Sequence, residues 1–203
     1  MYDAFDLVKV HLEKKGYCVS RFETKSEAEM YLCSQIQNTS VGFGGSMTLQ
    51  EMGLYESLSQ NNSVFWHWKA TDALTSDDMV KKADMAEVYL TSVNALAETG
   101  EIVNIDADCN RVASSVHGHQ KVYFIVGRNK LAPSCEAAVW RARNVAAPMN
   151  ARRLMRKTPC AVKADRCYDC TSPDRICKNL SILFEKPLVG NYEVILIHES
   201  LGF

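Results

Sequence analysis

Two periodicities of apolar residues divide the chain into predicted helices and strands. Apolar residues three or four positions apart predict amphipathic helices; they occur in YDAFDLVKVHLEKKG, TKSEAEMYLCSQIQ, TLQEMGLYESLSQ, TSDDMVKKADMA and SCEAAVWRARNVAAPMNARRLMR, the last broken at Pro148. Short apolar runs predict strands in YCVSRF, SVGF, SVFWHW, EVYLTSV, QKVYFIVGRN and NYEVILIHESLGF. Because strands alternate with helices, the pattern predicts an α/β fold whose mostly parallel sheet is covered by helices on both faces.

The composition is that of one globular domain. The chain has 203 residues, of which 47% are hydrophobic and 23% charged, so it can bury a sizeable core. We therefore expect a single α/β domain over residues 1–203. A cysteine-rich, metal-binding segment over residues 159–178 is expected within it, as an insertion before the last strand.

The net charge and the hydropathy of the chain limit the classes of partner that we expect. The formal net charge of −1 gives no general reason to expect a nucleic acid or an anionic membrane surface. The N-terminal stretch carries acidic residues among its apolar ones, unlike a signal peptide, and no apolar run approaches the roughly 20 residues that span a bilayer. We therefore expect a cytoplasmic protein, whose eight cysteines are free, metal-bound or catalytic because thiols stay reduced there.

A glycine turn lies between a predicted strand and a predicted helix in VGFGGSMT. Gly44 and Gly45 leave backbone N–H groups open, Ser46 and Thr48 add hydroxyl donors, and the start of the helix adds partial positive charge. In an α/β sheet such a turn lies at the carboxyl edge, where ligands bind. The turn therefore favours a phosphate or carboxylate ligand. A tight turn with Ser46 as a helix N-cap is the alternative.

Polar functional groups are concentrated in NALAETGEIVNIDADCNRVASSVHGH, which is predicted to contain short strands and polar turns. Glu98 is a candidate acid, base or carboxylate nucleophile. Arg111 is a candidate bidentate clamp for an anionic substrate. His117 and His119 share one face of an extended segment, so both are expected to face one pocket or both to face solvent. A solvated hairpin without chemistry is the alternative.

Four cysteines near the C-terminus, Cys160, Cys167, Cys170 and Cys177, have the pattern C-x6-C-x2-C-x6-C. The central C-x-x-C allows two thiolates to bind one metal from a single turn, and the outer pair can complete a four-sulfur set. An iron–sulfur cluster is favoured because it tolerates uneven spacing. A structural zinc, a thioredoxin-type redox pair and unreactive thiols are the alternatives. Cys109, in the polar turn DADCN, is a further thiol that can reach a site.

Five separated motifs occur along the chain: VGFGGSMTLQEMGL, LTSVNALAETGEIVNIDADCNRVA, VYFIVGRNKL, RNVAAPMNARRL and TPCAVKADRCYDCTSPDRICK. Together they resemble the lactate-utilisation (LUD) domain family, in its stand-alone bacterial form with a cysteine-rich C-terminal segment. The resemblance implies a fold like that of ribose-5-phosphate isomerase, glucosamine-6-phosphate deaminase and the CoA transferases. It also implies a connection with the oxidation of L-lactate to pyruvate, together with iron–sulfur oxidoreductase partners.

The resemblance also implies roles for single residues. In the related sugar-phosphate enzymes the glycine turn after the first strand of the sheet binds phosphate, so by similarity Gly44, Gly45, Ser46 and Thr48 are expected to bind phosphate. By similarity to the CoA transferases, Glu98 in ETG is expected to be a nucleophile.

The chain departs from the family pattern in one turn. This turn usually has the sequence Asp-Gly-x-Gly-Asn-Arg, and here it is DADCNR, so Ala107 and Cys109 replace the two glycines. If either position needs a positive φ, the turn is strained. A substrate pocket like that of the relatives is then in question at this point.

Three functions follow from these observations. The first is a redox or metabolic protein that binds a small lactate-like acid or a phosphorylated metabolite, with an iron–sulfur cluster, expected as 4Fe–4S, on the four cysteines. The second is a non-enzymatic metabolite-binding subunit or sensor with a structural zinc. The third is a CoA-transferase- or isomerase-like enzyme that uses Glu98. A homodimer is also expected, and the sequence leaves the substrate open.

Overall fold

The helices and strands follow one another in the alternating order that the sequence predicts. The computed structural model describes residues 4–203; Tyr2 and Asp3, part of the predicted first helix, lie outside the described residues. The helices are α1 (Ala4–Lys14), α2 (Lys25–Gln35), α3 (Met47–Glu51), α4 (Leu54–Leu58), α5 (Ser76–Asp84), α6 (Asn110–Val116), α7 (Cys135–Arg141), α8 (Ala147–Arg153) and α9 (Pro159–Lys163). The strands are β1 (Cys18–Phe22), β2 (Ser40–Phe43), β3 (Ser63–Phe65), β4 (Val88–Ser92), β5 (Ala95–Ala97), β6 (Ile102–Asp106), β7 (Lys121–Gly127), β8 (Leu131–Ala132), β9 (Asn179–Leu183) and β10 (Asn191–Ile197).

The strands of residues 4–203 form two sheets. The larger sheet has the order β1-β10-β7-β4-β2-β3, and all of its neighbouring strands are parallel. The smaller sheet has the order β8-β5-β6-β9; β6 is antiparallel to both neighbours, whereas β5 and β8 are parallel. The prediction of an α/β fold with a mostly parallel sheet is therefore confirmed.

The large sheet is apolar on both faces and is covered by helices on each. Successive side chains of a strand point to opposite faces. Along β7, Tyr123 and Ile125 pack with residues of α2, α3 and α4, and Val122, Phe124 and Val126 pack with residues of α1. Because both faces are buried, the strand is a continuous apolar run rather than an alternating one.

The small sheet lies between the core beneath α1 and the helix α7. Leu96 and Ile102 join the core that contains α1, whereas Ala95 and Ala97, on the opposite face, pack with Ala138 of α7. The small alanine side chains let the helix approach the sheet closely. Only residues 93 and 94 separate β4 of the large sheet from β5 of the small sheet, so the two sheets meet at the carboxyl end of β4.

Two helix starts are fixed by capping boxes. Thr24 accepts a hydrogen bond from Glu27 N–H at the start of α2, and the Glu27 side chain reaches back to the backbone N–H of Thr24. Thr75 and Asp78 form the same capping box at the start of α5. Each box satisfies donors that the first turn of a helix leaves unpaired.

Three elements differ from the prediction. The helix predicted over TLQEMGLYESLSQ is two short helices, because Gly53 adopts a left-handed conformation (φ 69°) between α3 and α4. The run NRVASSV forms α6 instead of strands and turns. The cysteine segment leads into β9, an edge strand with the sequence NLSIL that the prediction missed because two of its residues are polar.

The predicted break at Pro148 takes the form of a change in helix type. The chain passes from α7 through a π-helical stretch, Ala142–Ala146, into α8. Pro148 lies in the first turn of α8, where the missing N–H of proline costs little.

Candidate functional site

A polar cleft lies at the carboxyl ends of β2, β4 and β7, where the two sheets meet. Its volume is about 260 Å³, which suits a small metabolite better than a nucleotide. The polar and charged residues of its wall include Ser46, His67, Asn94, Arg111, Lys130 and Arg153. Ser46, Asn94 and Lys130 follow parallel strands that end at a common edge. Arg111 and Arg153 reach the same cleft from the helices α6 and α8.

The guanidinium group of Arg111 joins several segments of the cleft wall. It donates to Asn104 Oδ1 (2.9 Å), to Asn94 Oδ1 (3.3 Å) and to the carbonyl of Ile105 (2.6 Å). Its Nε also forms an ion pair with Asp106 Oδ2 at 3.4 Å. Four of its five N–H groups therefore have protein acceptors. One N–H is left for a ligand, whereas the bidentate clamp expected from the sequence needs two.

Hydrogen bonds of Asn94 and Asn104 connect the link between β4 and β5 to strand β6. Asn104 Oδ1 accepts from the backbone N–H of Asn94 (3.0 Å), and Asn94 Oδ1 accepts from the backbone N–H of Ile105 (2.7 Å). Asn104 is only 3% exposed, so water does not compete for these bonds. Because Asn94 lies on the link between β4 and β5, the bonds fix one sheet against the other beside the cleft.

The glycine turn contributes partly to the cleft wall and partly to its support. Gly45 and Ser46 line the cleft, whereas Gly44 and Thr48 lie behind it. Gly44 makes room for Arg111, because a Cβ at this position would lie 3.0 Å from Arg111 Cγ. Ser46 Oγ accepts a backbone hydrogen bond at the start of α3, as its predicted role of N-cap requires. Anion binding by this turn stays a prediction.

Lys130 follows β7 on a short 3₁₀ turn and brings an amine to the cleft wall. The residue is 3% exposed, and its Nζ donates to Thr48 Oγ1 (2.8 Å) and to Ser92 Oγ (2.7 Å). Burial, assisted by the positive charges of Arg141 and Arg111, lowers the pKa of Lys130 from 10.5 to about 7. A substantial fraction of the amine is therefore neutral at physiological pH.

His67 and Arg153 form the outer part of the cleft wall. Arg153 lies 4.8 Å from the centre of the Trp68 ring and uses two of its five N–H groups on Asn150 Oδ1 (3.0 and 2.9 Å). Three N–H groups remain for a ligand. Burial lowers the pKa of His67 below its ordinary value against the opposing charge of Asp108, so the imidazole is mainly neutral at pH 7.

Glu98 lies at the end of β5 that points away from the cleft, and it is not among the residues of the cleft wall. Its carbonyl lies 2.6 Å from His11 Nδ1 of α1, and its N–H donates to the carbonyl of Ala132 (2.8 Å). The structure therefore does not bring Glu98 together with Arg111 or the glycine turn. The nucleophile role expected for Glu98 stays a prediction.

The two neighbouring histidines have different environments. His119 is buried, with Nδ1 2.6 Å from a backbone carbonyl and its ring stacked on Tyr89 at 4.8 Å. His117 is exposed just beyond the end of α6. The expectation that both share one environment is wrong, because Gly118 between them adopts a φ of 102° and interrupts the extended backbone.

The turn DADCNR is strained at one of its two non-glycine positions. Cys109 has a left-handed conformation (φ 65°, ψ 1°) immediately before α6. Ala107 is not among the described residues with positive φ. The strain anticipated from the sequence is therefore confirmed for Cys109 and absent at Ala107, since a Cβ is disfavoured only in the left-handed region.

The four cysteines of the C-terminal segment converge on one small cavity. Cys160, Cys167, Cys170 and Cys177 all line a space of about 20 Å³. Cys160 lies on α9, and the other three lie in the irregular segment between α9 and β9. Among residues 4–203, no three His, Cys, Asp or Glu side chains are arranged to hold a single metal ion. Metal binding by this segment therefore stays a prediction.

Hydrogen-bond donors lie next to one of these sulfurs. The N–H of Asp169 donates to Cys167 Sγ (3.3 Å), and an N–H group of Arg143 lies 3.9 Å from the same sulfur. Asp169 adopts a φ of 45°, an unusual conformation for a residue with a Cβ. Burial and the nearby Cys167 raise the pKa of Cys177 to about 11, so the Cys177 thiol is protonated at neutral pH.

The cysteine cavity and the polar cleft are neighbours. Ile176 lines both spaces. The N–H of Lys178 donates to the carbonyl of Asp106 at 2.9 Å, which ties the cysteine segment to the turn beside Arg111. Any chemistry at the cysteines therefore takes place close to the cleft.

Comparison with known proteins agrees with this architecture. A model of the LUD domain family matches residues 6–197. The chain belongs to the LUD domain family. The resemblance inferred from the five sequence motifs is thus confirmed, and the polar cleft and the cysteine cavity are features of a LUD domain.

Solved structures also resemble this LUD domain. A DUF162 family protein from Deinococcus radiodurans has a TM-score of 0.55 and 12% identity over 96% of each chain, a likeness that concerns the fold alone. The eIF2B beta subunit from Chaetomium thermophilum has a TM-score of 0.33 and 14% identity over 64% of this chain and 39% of its own. No curated protein matches the chain significantly. None of the helices in residues 4–203 combines the length and the apolar character needed to cross a membrane.

Four cleft residues of the LUD domain, Ser92, His67, Lys130 and Arg153, were missed by the sequence analysis. Lys130 and Ser92 lie at the carboxyl ends of strongly apolar strands, and this position was the available signal because ligands bind at that edge. His67 was assigned to a strand, and its place in a 3₁₀ turn beside Gly45 depends on the tertiary structure.

Replacing Cys109 by glycine is expected to stabilise the LUD domain by roughly 1 kcal/mol, because glycine adopts a positive φ without the steric cost of a Cβ. Thermal unfolding measures the change. Cys109→Ala is the matched control: it removes the thiol but keeps the Cβ, so its stability should stay near that of the wild type. Equal gains in the two variants would show that the thiol, and not the backbone, was the cause.

Replacing Lys130 by methionine is expected to change how stability depends on pH. The unfolded amine keeps its proton up to pH 10.5 and the folded amine up to about pH 7. Between these values the wild type should gain roughly 1.4 kcal/mol of unfolding free energy per pH unit relative to Lys130→Met, because the unfolded state binds one more proton. Urea denaturation across this window measures the difference. The exposed residue Lys157 provides the control, since Lys157→Met should follow the wild type; a difference for Lys130→Met that stays constant with pH would contradict the lowered pKa.

Proposed function

We propose that this LUD domain protein binds a small organic acid of the lactate–pyruvate type in the polar cleft and acts in its redox metabolism. The free guanidinium N–H groups of Arg153 are the observation that carries the proposal. They stand in the wall of a cleft of about 260 Å³ with no other acceptor than Asn150 among the described residues. A carboxylate is the natural partner for such a group, because it accepts two parallel hydrogen bonds from one guanidinium.

The balance of charge in the cleft supports a ligand with a single negative charge. Arg111 and Asp106 form an ion pair and offset each other. The remaining side chains of fixed charge in the wall are Arg153 and Arg156 against Asp108, an excess of one positive charge. A phosphorylated metabolite carries more negative charge and is the second candidate, favoured by the expected role of the glycine turn.

The neutral imidazole of His67 supplies a proton acceptor for such a ligand. Neither ring nitrogen forms a hydrogen bond with another described residue, and the ring lies in the cleft wall. We assign to His67 the role of accepting the proton of a ligand hydroxyl group, because a general base needs a pKa near or below the working pH. Its lowered pKa fits this role.

We further propose that Cys160, Cys167, Cys170 and Cys177 hold an iron–sulfur cluster, which supplies one-electron transfer when it is bound. Four thiols around one cavity are the donor set that such a cluster takes. Their uneven spacing favours it over zinc, and the N–H donor at Cys167 suits a thiolate. The position of Ile176 between the cavity and the cleft supports a functional link between them.

Binding of the acid is tested by isothermal titration with L-lactate, pyruvate and inorganic phosphate. Replacing Arg153 by methionine is expected to raise the Kd of the preferred acid roughly ten- to hundredfold, because a hydrogen bond between charged partners contributes about 1.5–3 kcal/mol. Arg152→Met is the matched control: Arg152 lies on the same helix but outside the cleft wall, so affinity should be unchanged. Equal losses in the two variants, or no binding of any of the three anions, would refute the assignment.

The metal content is tested on protein purified without oxygen. Iron and acid-labile sulfide at about four each per chain, with a broad visible absorption, are expected for the cluster. Cys170→Ser should lose both, whereas Cys18→Ser, at an exposed cysteine outside the segment, should retain them. One zinc per chain without sulfide would instead establish the structural-zinc alternative and remove the redox role.

A further inference from the structure

The amine of Lys130 is a chemically distinctive group of the cleft to which the proposed function gives no role. It is almost fully buried at the carboxyl end of β7, the strand that lies between β10 and β4 in the large sheet. Buried lysines usually pair with a carboxylate. Lys130 instead hydrogen-bonds to two hydroxyl groups, those of Thr48 and Ser92.

The direction of these two hydrogen bonds is fixed by the other partners of the hydroxyls. Thr48 Oγ1 donates its proton to the carbonyl of Leu201 (3.2 Å), and Ser92 Oγ donates its proton to the carbonyl of Ile125 (2.6 Å). A hydroxyl has only one proton, so toward Lys130 both oxygens can only accept. The amine therefore donates two hydrogen bonds, one to each hydroxyl oxygen, and the described residues provide no third acceptor.

Two donated hydrogen bonds match the neutral amine and not the ammonium ion. A neutral amine has two N–H groups and one lone pair, whereas the ammonium ion of lysine has three N–H groups and no lone pair. Among the described residues the third N–H of the ammonium form has no acceptor, and the 3% exposure of Lys130 makes the charged form costly. The neutral form leaves its lone pair available, and Lys130 lies in the cleft wall.

The charged groups around Lys130 agree with this. Arg111 of α6 and Arg141 of α7 repel a positive charge on the amine, and Glu51 of α3 is the acidic neighbour that opposes them. The Glu51 carboxylate accepts the N–H of Gly202 (2.8 Å). Burial and the two arginines prevail and lower the pKa of Lys130 to about 7.

We propose that Lys130 is a nucleophile that forms a covalent imine with the carbonyl group of a 2-oxo acid bound in the cleft. The Nζ lone pair attacks the carbonyl carbon, and the carbonyl oxygen takes up the proton that the nitrogen loses, which gives a carbinolamine. Loss of one water molecule then forms the C=N bond. No oxidant or reductant is needed, and hydrolysis reverses the reaction.

A 2-oxo acid is the substrate class because the cleft offers a partner for each of its two groups. The carboxylate suits the free N–H groups of Arg153, and the adjacent carbonyl suits an unprotonated amine. A 2-hydroxy acid shares the carboxylate but cannot form the imine. The inference therefore rests on the proposed function and adds to it a covalent distinction between the oxidised and the reduced acid.

The test is reductive trapping of the wild-type protein with pyruvate. Sodium cyanoborohydride reduces an imine to a stable secondary amine, so the trapped chain should gain the mass of one pyruvic acid molecule less one oxygen atom. Peptide mass spectrometry should place this mass on Lys130. An excess of L-lactate should suppress the adduct by competing for Arg153, and lactate with the reductant should give none.

Lys130→Arg should lose the adduct, whereas Lys157→Arg, at an exposed lysine, should retain it. The mapping on the wild type decides the question even if Lys130→Arg does not fold. The initial rate of trapping should rise with pH to a half-maximum near pH 7, far below the value of an ordinary lysine. An adduct spread over surface lysines, or a rate that rises only near pH 10.5, would overturn the inference.

Calorimetry on the same samples tests the binding of the acid separately from the formation of the imine. If pyruvate binds but no adduct forms, the imine is refuted and the proposed acid-binding function stands. If neither lactate nor pyruvate binds and no adduct forms, both are refuted. An adduct on Lys130 that lactate suppresses supports both.

Discussion

The candidate site depends on the hydrogen bonds among Arg111, Asn94 and Asn104, which together form a clasp between the two sheets. The large sheet and the small sheet are separate hydrogen-bonded units, and Asn94 lies on the short link between them. Arg111 and Asn104 hold that link against β6 through bonds shielded from water. Because the cleft occupies this junction, its shape is set by the clasp and not by either sheet alone. Gly44 contributes by leaving room for the Arg111 side chain.

The cleft combines groups that are costly to keep in a fold. A buried amine without a carboxylate, a half-buried neutral imidazole and a backbone residue at positive φ each reduce stability. The amine and the imidazole line the cleft, and the residue at positive φ, Cys109, lies between the wall residues Asp108 and Asn110. Such concentrations of perturbed groups are typical of functional sites. The buried large sheet, covered by helices on both faces, stabilises the fold and offsets their cost.

The cysteine segment depends on the small sheet for its position. Its sequence is too polar to form a core of its own, but α9 packs on α8 through Ala151 and Ala161, and the segment ends in β9 at the edge of the sheet. This anchoring brings the four thiols to one cavity and places Ile176 between that cavity and the cleft. The structure thus makes neighbours of two sites that the sequence shows only as separate motifs.

Local patterns were enough to predict the elements, and they were not enough to predict the partners of each side chain. Apolar runs in QKVYFIVGRN and EVYLTSV determined buried parallel strands, and Thr24 and Thr75 determined helix starts, because burial and capping act within a few residues. The absence of glycine at position 109 of DADCNR indicated the strain at Cys109, because a positive φ is disfavoured by the Cβ of the residue itself. The motifs also sufficed to assign the LUD family.

Only the tertiary structure decided which polar residues meet. Glu98 and Lys130 stand near turns of similar polarity in the sequence, yet one lies beyond the far end of β5 and the other in the cleft wall. Strand direction and sheet order determine this difference, and they follow from pairings between segments far apart in the chain. The altered pKa of Lys130 arises in the same way, since burial and the charges of Arg141 and Arg111 exist only after the chain has folded.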